Sequence, residues 1–320
     1  MYHYLIRNKI SFGQQGRSFL LSLFLYGLLL CLVLFLSVRY GYLLQDCGWF
    51  IYLDGEIIEQ EQFRAMDFGE EGLAMLEETA QKEKVTLGEA AAVWMIRFGY
   101  HLPGKSVMEK RAGEFAEWKE QMKQWSEPDF RKIVNAYKTV LTGLDWFPVA
   151  DNRDKRLSPV AFENSWLDPR EYGGERLHEG CDIMSGQAPV SQYQDGVYPS
   201  GVYPVISISD GLVEKMGWLP LGGWRIGIRT DAGCYIYYAH LYGYAPALEE
   251  GDRVSAGELL GWMGDTGYSE IEGTTGNFPV HLHLGLYLRT DHYEELSINP
   301  YWILRYLRQK ELKLQIHIEG

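Results

Sequence analysis

The stretch PVHLHLGLYL, Pro279 to Leu288, sets two histidines into a run otherwise made of Val, Leu, Gly and Tyr. Such a run predicts a buried β-strand, in which residues two apart point to the same face. His281 and His283 therefore look one way, while Val280, Leu282 and Leu284 look the other. Two imidazoles on one face suit a metal, a proton-transfer pair, or one of each. A second face that is merely solvated is the plain alternative, so the surrounding chain has to decide.

The strand sits in a β-rich region. From about residue 160 glycine becomes frequent, and short runs such as Tyr203-Pro-Val-Ile-Ser-Ile, Trp224-Arg-Ile-Gly-Ile-Arg and Cys234-Tyr-Ile-Tyr-Tyr-Ala-His240 alternate with turn residues. No helical period intervenes, which predicts a mainly antiparallel all-β domain over residues 158–305. Asn299-Pro-Tyr-Trp-Ile-Leu-Arg-Tyr-Leu reads as a short closing helix, with a C-terminal tail over 306–320. Residues 45–148 read instead as a small helical region. Thr86-Leu-Gly-Glu89 and Ser106-Val-Met-Glu109 match capping boxes, and Ser126-Glu-Pro-Asp129 opens a third helix in which Phe130, Ile133, Val134, Tyr137 and Leu141 recur at helical spacing. Nothing there has catalytic spacing, and its glutamates read as solvated helix faces.

The N-terminus has a different character. Residues 18–38, Ser18 to Val38, carry no charge over 21 positions, enough to cross a bilayer core as a helix. Ser37-Val38-Arg39 is a poor cleavage site, which favours a retained signal anchor over a cleaved signal peptide. Arg7, Lys9 and Arg17 precede the span, whereas Arg39 is followed by Asp46, Asp54, Glu56 and Glu59. The positive-inside rule then puts residues 1–17 in the cytoplasm as a tail and the remainder outside the cell membrane. The formal net charge is −13, and all the acidic side chains lie beyond residue 40. So acidic a body excludes binding nucleic acid through its phosphates. Cys31 lies in the span; Cys47, Cys181 and Cys234 fit no cysteine-rich zinc site, and either one disulfide or free buried thiols would account for them.

Of eight histidines, four fall in the β-rich part where strands begin or end: His178, His240, His281 and His283. His178-Glu-Gly-Cys-Asp182 places an imidazole and a carboxylate four apart, with Gly180 allowing a tight bend. With one histidine of the opening strand this supplies two nitrogens and one oxygen. Three such ligands, with a fourth position left to water, make the arrangement of a catalytic zinc. The second strand histidine and His240 are then left beside the metal, where neutral imidazoles could hydrogen-bond the water or an oxyanion.

His178-x-Gly-x-Asp182, Tyr238-Ala-His240-Leu241, Gly251-Asp-x-Val254-x-x-Gly257, Gly264-x-Thr-Gly267 and His281-Leu-His283 occur in this order. In that order they resemble the lysostaphin-type, or LytM-domain, zinc metallopeptidases across residues 160–300. The resemblance implies that His178, Asp182 and His283 bind one catalytic Zn²⁺ and that His240 and His281 act in catalysis. It implies hydrolysis of peptide bonds in the stem peptides or cross-bridges of bacterial peptidoglycan, a polymer that an anchored extracytoplasmic domain would face. Some relatives keep the fold, lose metal residues and serve as a cell-wall scaffold or an activator of a partner hydrolase; here none of the five positions is degenerate.

The chain departs from the family pattern in three places. Ser165-Trp-Leu167-Asp-Pro-Arg170 has Leu where many relatives have Gly, and the segments Ser185–Gly201 and Tyr268–Pro279 are longer than usual. Loops near the motifs wall the substrate groove in the family, so Tyr193, Tyr198, Tyr203 and Tyr242 are candidates to line it, against an ordinary packing role for each. The position of the helical region, between anchor and catalytic domain, also suits a module that shades the groove until a protein regulator moves it.

Overall fold

The opening stretch forms a strand at the centre of an antiparallel sheet. The computed structural model describes residues 19, 21–37, 48–151, 159–171, 174–186 and 200–314. Among the described residues twelve strands are formed: β1 Ala161–Phe162, β2 Pro169–Arg170, β3 Arg176–Leu177, β4 Cys181–Met184, β5 Pro204–Ile206, β6 Gly211–Leu219, β7 Gly223–Thr230, β8 Tyr235–Tyr244, β9 Arg253–Val254, β10 Leu259–Met263, β11 His281–Leu288 and β12 Leu296–Ile298. The main path through the sheet runs β1-β4-β11-β8-β7-β6-β9, with β12 on β11 and β10 joining β8 to β5, while β2 and β3 pair separately. Alternation gives the long strands one apolar face: Ile226, Ile228, Ile236, Tyr238, Leu282, Leu284 and Leu286 have no exposed surface. The β6–β7 and β7–β8 connections are tight, and Gly223 (φ 62°) and Gly233 (φ 99°) supply the left-handed backbone that closes them.

The helices are α1 over residues 21–37, α2 Glu61–Arg64, α3 Gly72–Glu83, α4 Leu87–Arg97, α5 Lys105–Arg111, α6 Phe115–Leu141 and α7 Tyr301–Leu307. Thr86 caps α4 as its sequence predicts, accepting a hydrogen bond from the Glu89 amide at 3.1 Å. Ser106 does not cap: α5 begins at Lys105 behind Gly104, so the second capping-box match is incidental. Ser126 leaves helical geometry (φ −154°, ψ 93°) and donates to Asp129 Oδ2 at 2.5 Å. The helix it was expected to open is thus the second half of a kinked α6, with Pro128 in its first turn.

Residues 52–320 form one compact unit and 1–51 another. Within the larger unit the helices are tied to the β-domain through β12 and α7. Arg64 donates to the Ser297 carbonyl at 2.8 Å and to its hydroxyl at 2.9 Å, and its guanidinium lies over the Trp166 ring. Tyr306 donates to Glu77 at 2.5 Å. The segment after α7 also pairs with the chain: the Asp151 and Leu314 amides exchange hydrogen bonds with the Leu312 and Asp151 carbonyls at 2.9 and 3.0 Å.

In the smaller unit α1 presents apolar side chains outward. Among the described residues no helix is long and apolar enough to cross a membrane. The cytoplasmic-tail residues 1–17 and the span ends, 18 and 38, lie outside the described residues, as does Cys47. Cys181 and Cys234 are buried free thiols, pushed by burial up to about 12, so the free-thiol alternative holds for these two.

Helices α4 and α6 meet at a glycine. A Cβ at Gly88 would stand 2.6 Å from the Lys138 backbone nitrogen, whereas one at Gly113 would meet nothing within 4 Å. Gly88→Ala is therefore expected to lower stability in denaturant unfolding by about 1–3 kcal/mol. Gly113→Ala should leave the midpoint nearly unchanged.

Candidate metal centre and groove

Strands β4 and β11 pair with His283 directly opposite Asp182, so both side chains stand on one face of the sheet. His178 enters from the segment before β4. The chain can pass so close only because residue 180 is glycine: a Cβ there would lie 2.5 Å from the Leu284 carbonyl oxygen and 2.7 Å from His283 Cε1. The backbone of His178 is pinned by its amide to the Asp168 carbonyl at 2.9 Å and by the Leu167 amide to its own carbonyl at 2.7 Å. Leu167, where relatives often have glycine, adopts a left-handed φ of 64° and keeps this bend without it.

Three atoms converge. His178 Nε2 lies 3.0 Å from Asp182 Oδ1 and 2.9 Å from His283 Nδ1, and His283 Nδ1 lies 3.1 Å from the same oxygen. His178 Nδ1 faces the Ser165 carbonyl at 2.8 Å, so it carries the ring proton and leaves Nε2 as a lone pair. Two nitrogens and a carboxylate oxygen, with at most one proton among them when the rings are neutral, form an electron-rich pocket. A point about 2 Å from all three exists, which is the bond length zinc takes to nitrogen and oxygen ligands. The donor set fits that ion.

The charge of the cluster is set by its neighbours. Burial alone would raise the Asp182 pKa, but the neighbouring His178, His283 and His281 side chains outweigh it and hold the carboxyl below the usual range. The other carboxylate oxygen accepts from Arg170 Nη2 at 2.8 Å. Burial also lowers the pKa of His283. Neutral nitrogens and an ionised carboxylate are what a cation needs.

His281 and His240 flank this cluster. His281 Nδ1 is bonded to the Pro279 carbonyl at 2.8 Å, which turns Nε2 towards Asp182 Oδ1 at 3.7 Å. His240 reaches the site by an irregularity. Ala239 stands opposite His283, so strict alternation would send the next side chain to the core beside Tyr238. Instead Tyr238 pairs with Ile226 and Leu241 with Trp224, leaving Ala239 and His240 opposite Arg225 alone. His240 takes a φ of 61°, and this bulge swings its ring to the groove, 4.7 Å from the His281 ring. Its Nδ1 is held by the Thr266 carbonyl at 2.8 Å. Tyr268 stacks on it at 5.6 Å and Phe278 meets it edge-on at 4.7 Å, so the long segment before β11 walls both imidazoles. Burial pushes the pKa of both rings below the ordinary histidine value.

The five expected histidine and aspartate positions come together, and His178, His240 and His283 among them line a groove of about 920 Å³. The two expected tyrosines that are described, Tyr203 and Tyr242, do not line it. Tyr203 is buried, Tyr242 is exposed and lies over Gly201, and Tyr193 and Tyr198 fall outside the described residues. Tyr235, Tyr237, Tyr268 and Tyr287 line the groove instead. Arg170, Ser165 and Thr266 support the site without having been singled out for it; the Ser-Trp-x-x-Pro-Arg run and the Gly-x-Thr-Gly motif were their only signals. Among the described residues none that lines the groove comes from the helical region. His101 and His292 lie within hydrogen-bonding distance of Asp67 and Glu59, and His3 and His317 lie outside the described residues.

An antiparallel sheet carrying a His-Asp-His cluster, two flanking neutral imidazoles and an open groove defines the single-metal peptidase class. The chain belongs to peptidase family M23, whose model matches residues 177–299. It is similar to the crystal structure described as a glycyl-glycine endopeptidase lytM from Ruminococcus gnavus, with 36% identity and a TM-score of 0.65, covering 82% of this chain and 99% of that one. The L-Ala–D-Glu endopeptidase of Bacillus subtilis is 37% identical over 177 residues, 55% of this chain and 48% of that protein. The glycyl-glycine endopeptidase ALE-1 of Staphylococcus capitis is 43% identical over 68 residues, 21% of this chain and 18% of that protein. The chain thus spans about half the length of the first of these curated relatives and less of the second.

The geometry separates two kinds of variant. His178→Ala, Asp182→Ala and His283→Ala should abolish stoichiometric zinc in metal analysis after dialysis, whereas His240→Ala and His281→Ala should retain it. Arg170→Met should keep zinc but bind it about 10–100-fold more weakly, because the Asp182 carboxylate loses its orienting partner.

Proposed function

We propose that this chain is a zinc metalloendopeptidase that hydrolyses peptide bonds of bacterial peptidoglycan. The observation that carries the proposal is the convergence of His178, Asp182 and His283 with the free Nε2 atoms of His281 and His240 beside them. Both relatives named for their bonds, L-Ala–D-Glu and glycyl-glycine, are endopeptidases, which supports peptide-bond cleavage.

A zinc ion held by the three ligands would lower the pKa of a water towards ~7 and polarise the scissile carbonyl. The protein supplies the rest. His281, with Nδ1 committed to a backbone carbonyl, offers Nε2 to take the proton of the attacking water. His240, fixed in the same way by Thr266, offers its Nε2 from the other side and, once protonated, can donate to the oxyanion or to the leaving amine. A carbon–oxygen bond forms, the carbon–nitrogen bond breaks and the amine departs with a proton. The groove, of about 920 Å³ beside these histidines, has room for a stretch of peptide.

The proposal includes a location. The uncharged run 18–38 and its basic N-terminal flank support a single-pass anchor with a cytoplasmic N-terminus and the site outside the membrane. Protease added to intact cells should then digest the domain from outside.

The activity test is incubation of the protein with purified peptidoglycan of known cross-links, with fragments identified by mass spectrometry. New amino ends that vanish with chelator and return with zinc are expected. His281→Ala should cut at least about 10²-fold more slowly while keeping its metal. Equal release by His281→Ala or Asp182→Ala would sink the proposal.

A further inference from the structure

The groove holds a cation for which the reaction as described has no use. Arg225 on β7 lies opposite the Ala239–His240 bulge and lines the groove beside Tyr235 and Tyr237. Its Nη1 is buried and has no hydrogen-bond partner among the described residues. Arg170, by contrast, is committed to Asp182 at 2.8 Å. A buried N–H without an acceptor is costly, and a guanidinium has the fork that grips a carboxylate.

The surroundings favour an anion. Apart from Arg170, which Asp182 neutralises, the groove is lined by Arg176, Lys215 and Arg225 against the carboxylates of Glu179 and Glu295, in a chain of formal net charge −13. Such a local excess of positive charge draws an acidic ligand into a cleft despite the acidic body around it. Two glycines shape the floor: Cβ atoms at Gly222 and Gly227 would fall 2.1 and 1.8 Å from the hydroxyls of Tyr237 and Tyr235. The two rings thus lie across β7 and the turn before it, on the groove wall that also carries Arg225.

We propose that Arg225 binds a carboxylate of the substrate, so that the groove selects an acidic peptide over an uncharged glycine chain. This rests on the peptidase reading of the site and adds to it the class of peptide held. Since Arg225 faces the bulge that carries His240, the carboxylate would be gripped a short distance from the scissile bond.

The test measures binding separately from cleavage. Zinc-loaded full-length protein carrying His281→Ala, to prevent turnover, is titrated by calorimetry with L-alanyl-γ-D-glutamyl-L-lysine, with the same peptide amidated at its glutamyl α-carboxyl, and with pentaglycine. The acid should bind about tenfold or more tightly than the amide, as expected for a charge-assisted hydrogen bond. Adding Arg225→Gln should bring the two peptides to equal affinity, and Arg225→Lys should restore part of the preference. Equal binding of acid and amide, a preference that survives Arg225→Gln, or no measurable binding of either peptide would overturn the proposal. So would pentaglycine binding as tightly as the acid. The comparison of acid with amide stands even if a variant fails to fold, which zinc content and melting temperature would reveal. A carboxylate preference in a protein that cleaves no peptidoglycan would leave Arg225 in place and remove the peptidase reading; cleavage without the preference would do the reverse.

Discussion

His283 and Asp182 face each other across an antiparallel pair, and the site depends on that register. A slip of one residue between β4 and β11 would carry one of them into the apolar layer and break the cluster. Three electron-rich atoms about 3 Å apart sit in a buried pocket, and Arg170 grips the outer oxygen of the carboxylate among them. A metal that binds this arrangement and not the unfolded chain therefore adds to the stability of the whole domain, by an amount that grows with its concentration over its dissociation constant.

Much of this was legible because strand periodicity is local. The shared face of His281 and His283 follows from alternation alone, and the tight bend at Gly180 follows from a glycine between a histidine and an aspartate. The cap at Thr86 was readable for the same reason: its chemistry spans three residues. Ser106 fits the same pattern yet caps nothing, because Gly104 starts the helix two residues earlier. The path of His240 was not readable. Nothing in Tyr-Ala-His-Leu announces a left-handed residue, and only the pairing of β8 with two neighbours reveals the bulge. The groove tyrosines were hidden likewise, since the β-strands that bring them to one wall are separated in sequence.

The helical region has a different bearing on the site from the one its position suggested. Among the described residues it contributes nothing to the groove lining, yet Arg64 ties it to Ser297 on β12 and covers Trp166, next to the Ser165 carbonyl that fixes the tautomer of His178. Its contact with the site runs through the Ser165-Trp166 segment, whose backbone carbonyl holds the His178 ring.

The bulge in β8 has a consequence for how such a protein can change. A regular strand can exchange side chains freely, because each position keeps its face whatever occupies it. At His240 the face is set by one surplus residue, so loss or gain of a single codon upstream in β8 would rotate the imidazole into the core while leaving every chemical group intact. Sequence drift in this strand is therefore limited by length more tightly than by composition, and the lone Arg225 across from the bulge shares that limit.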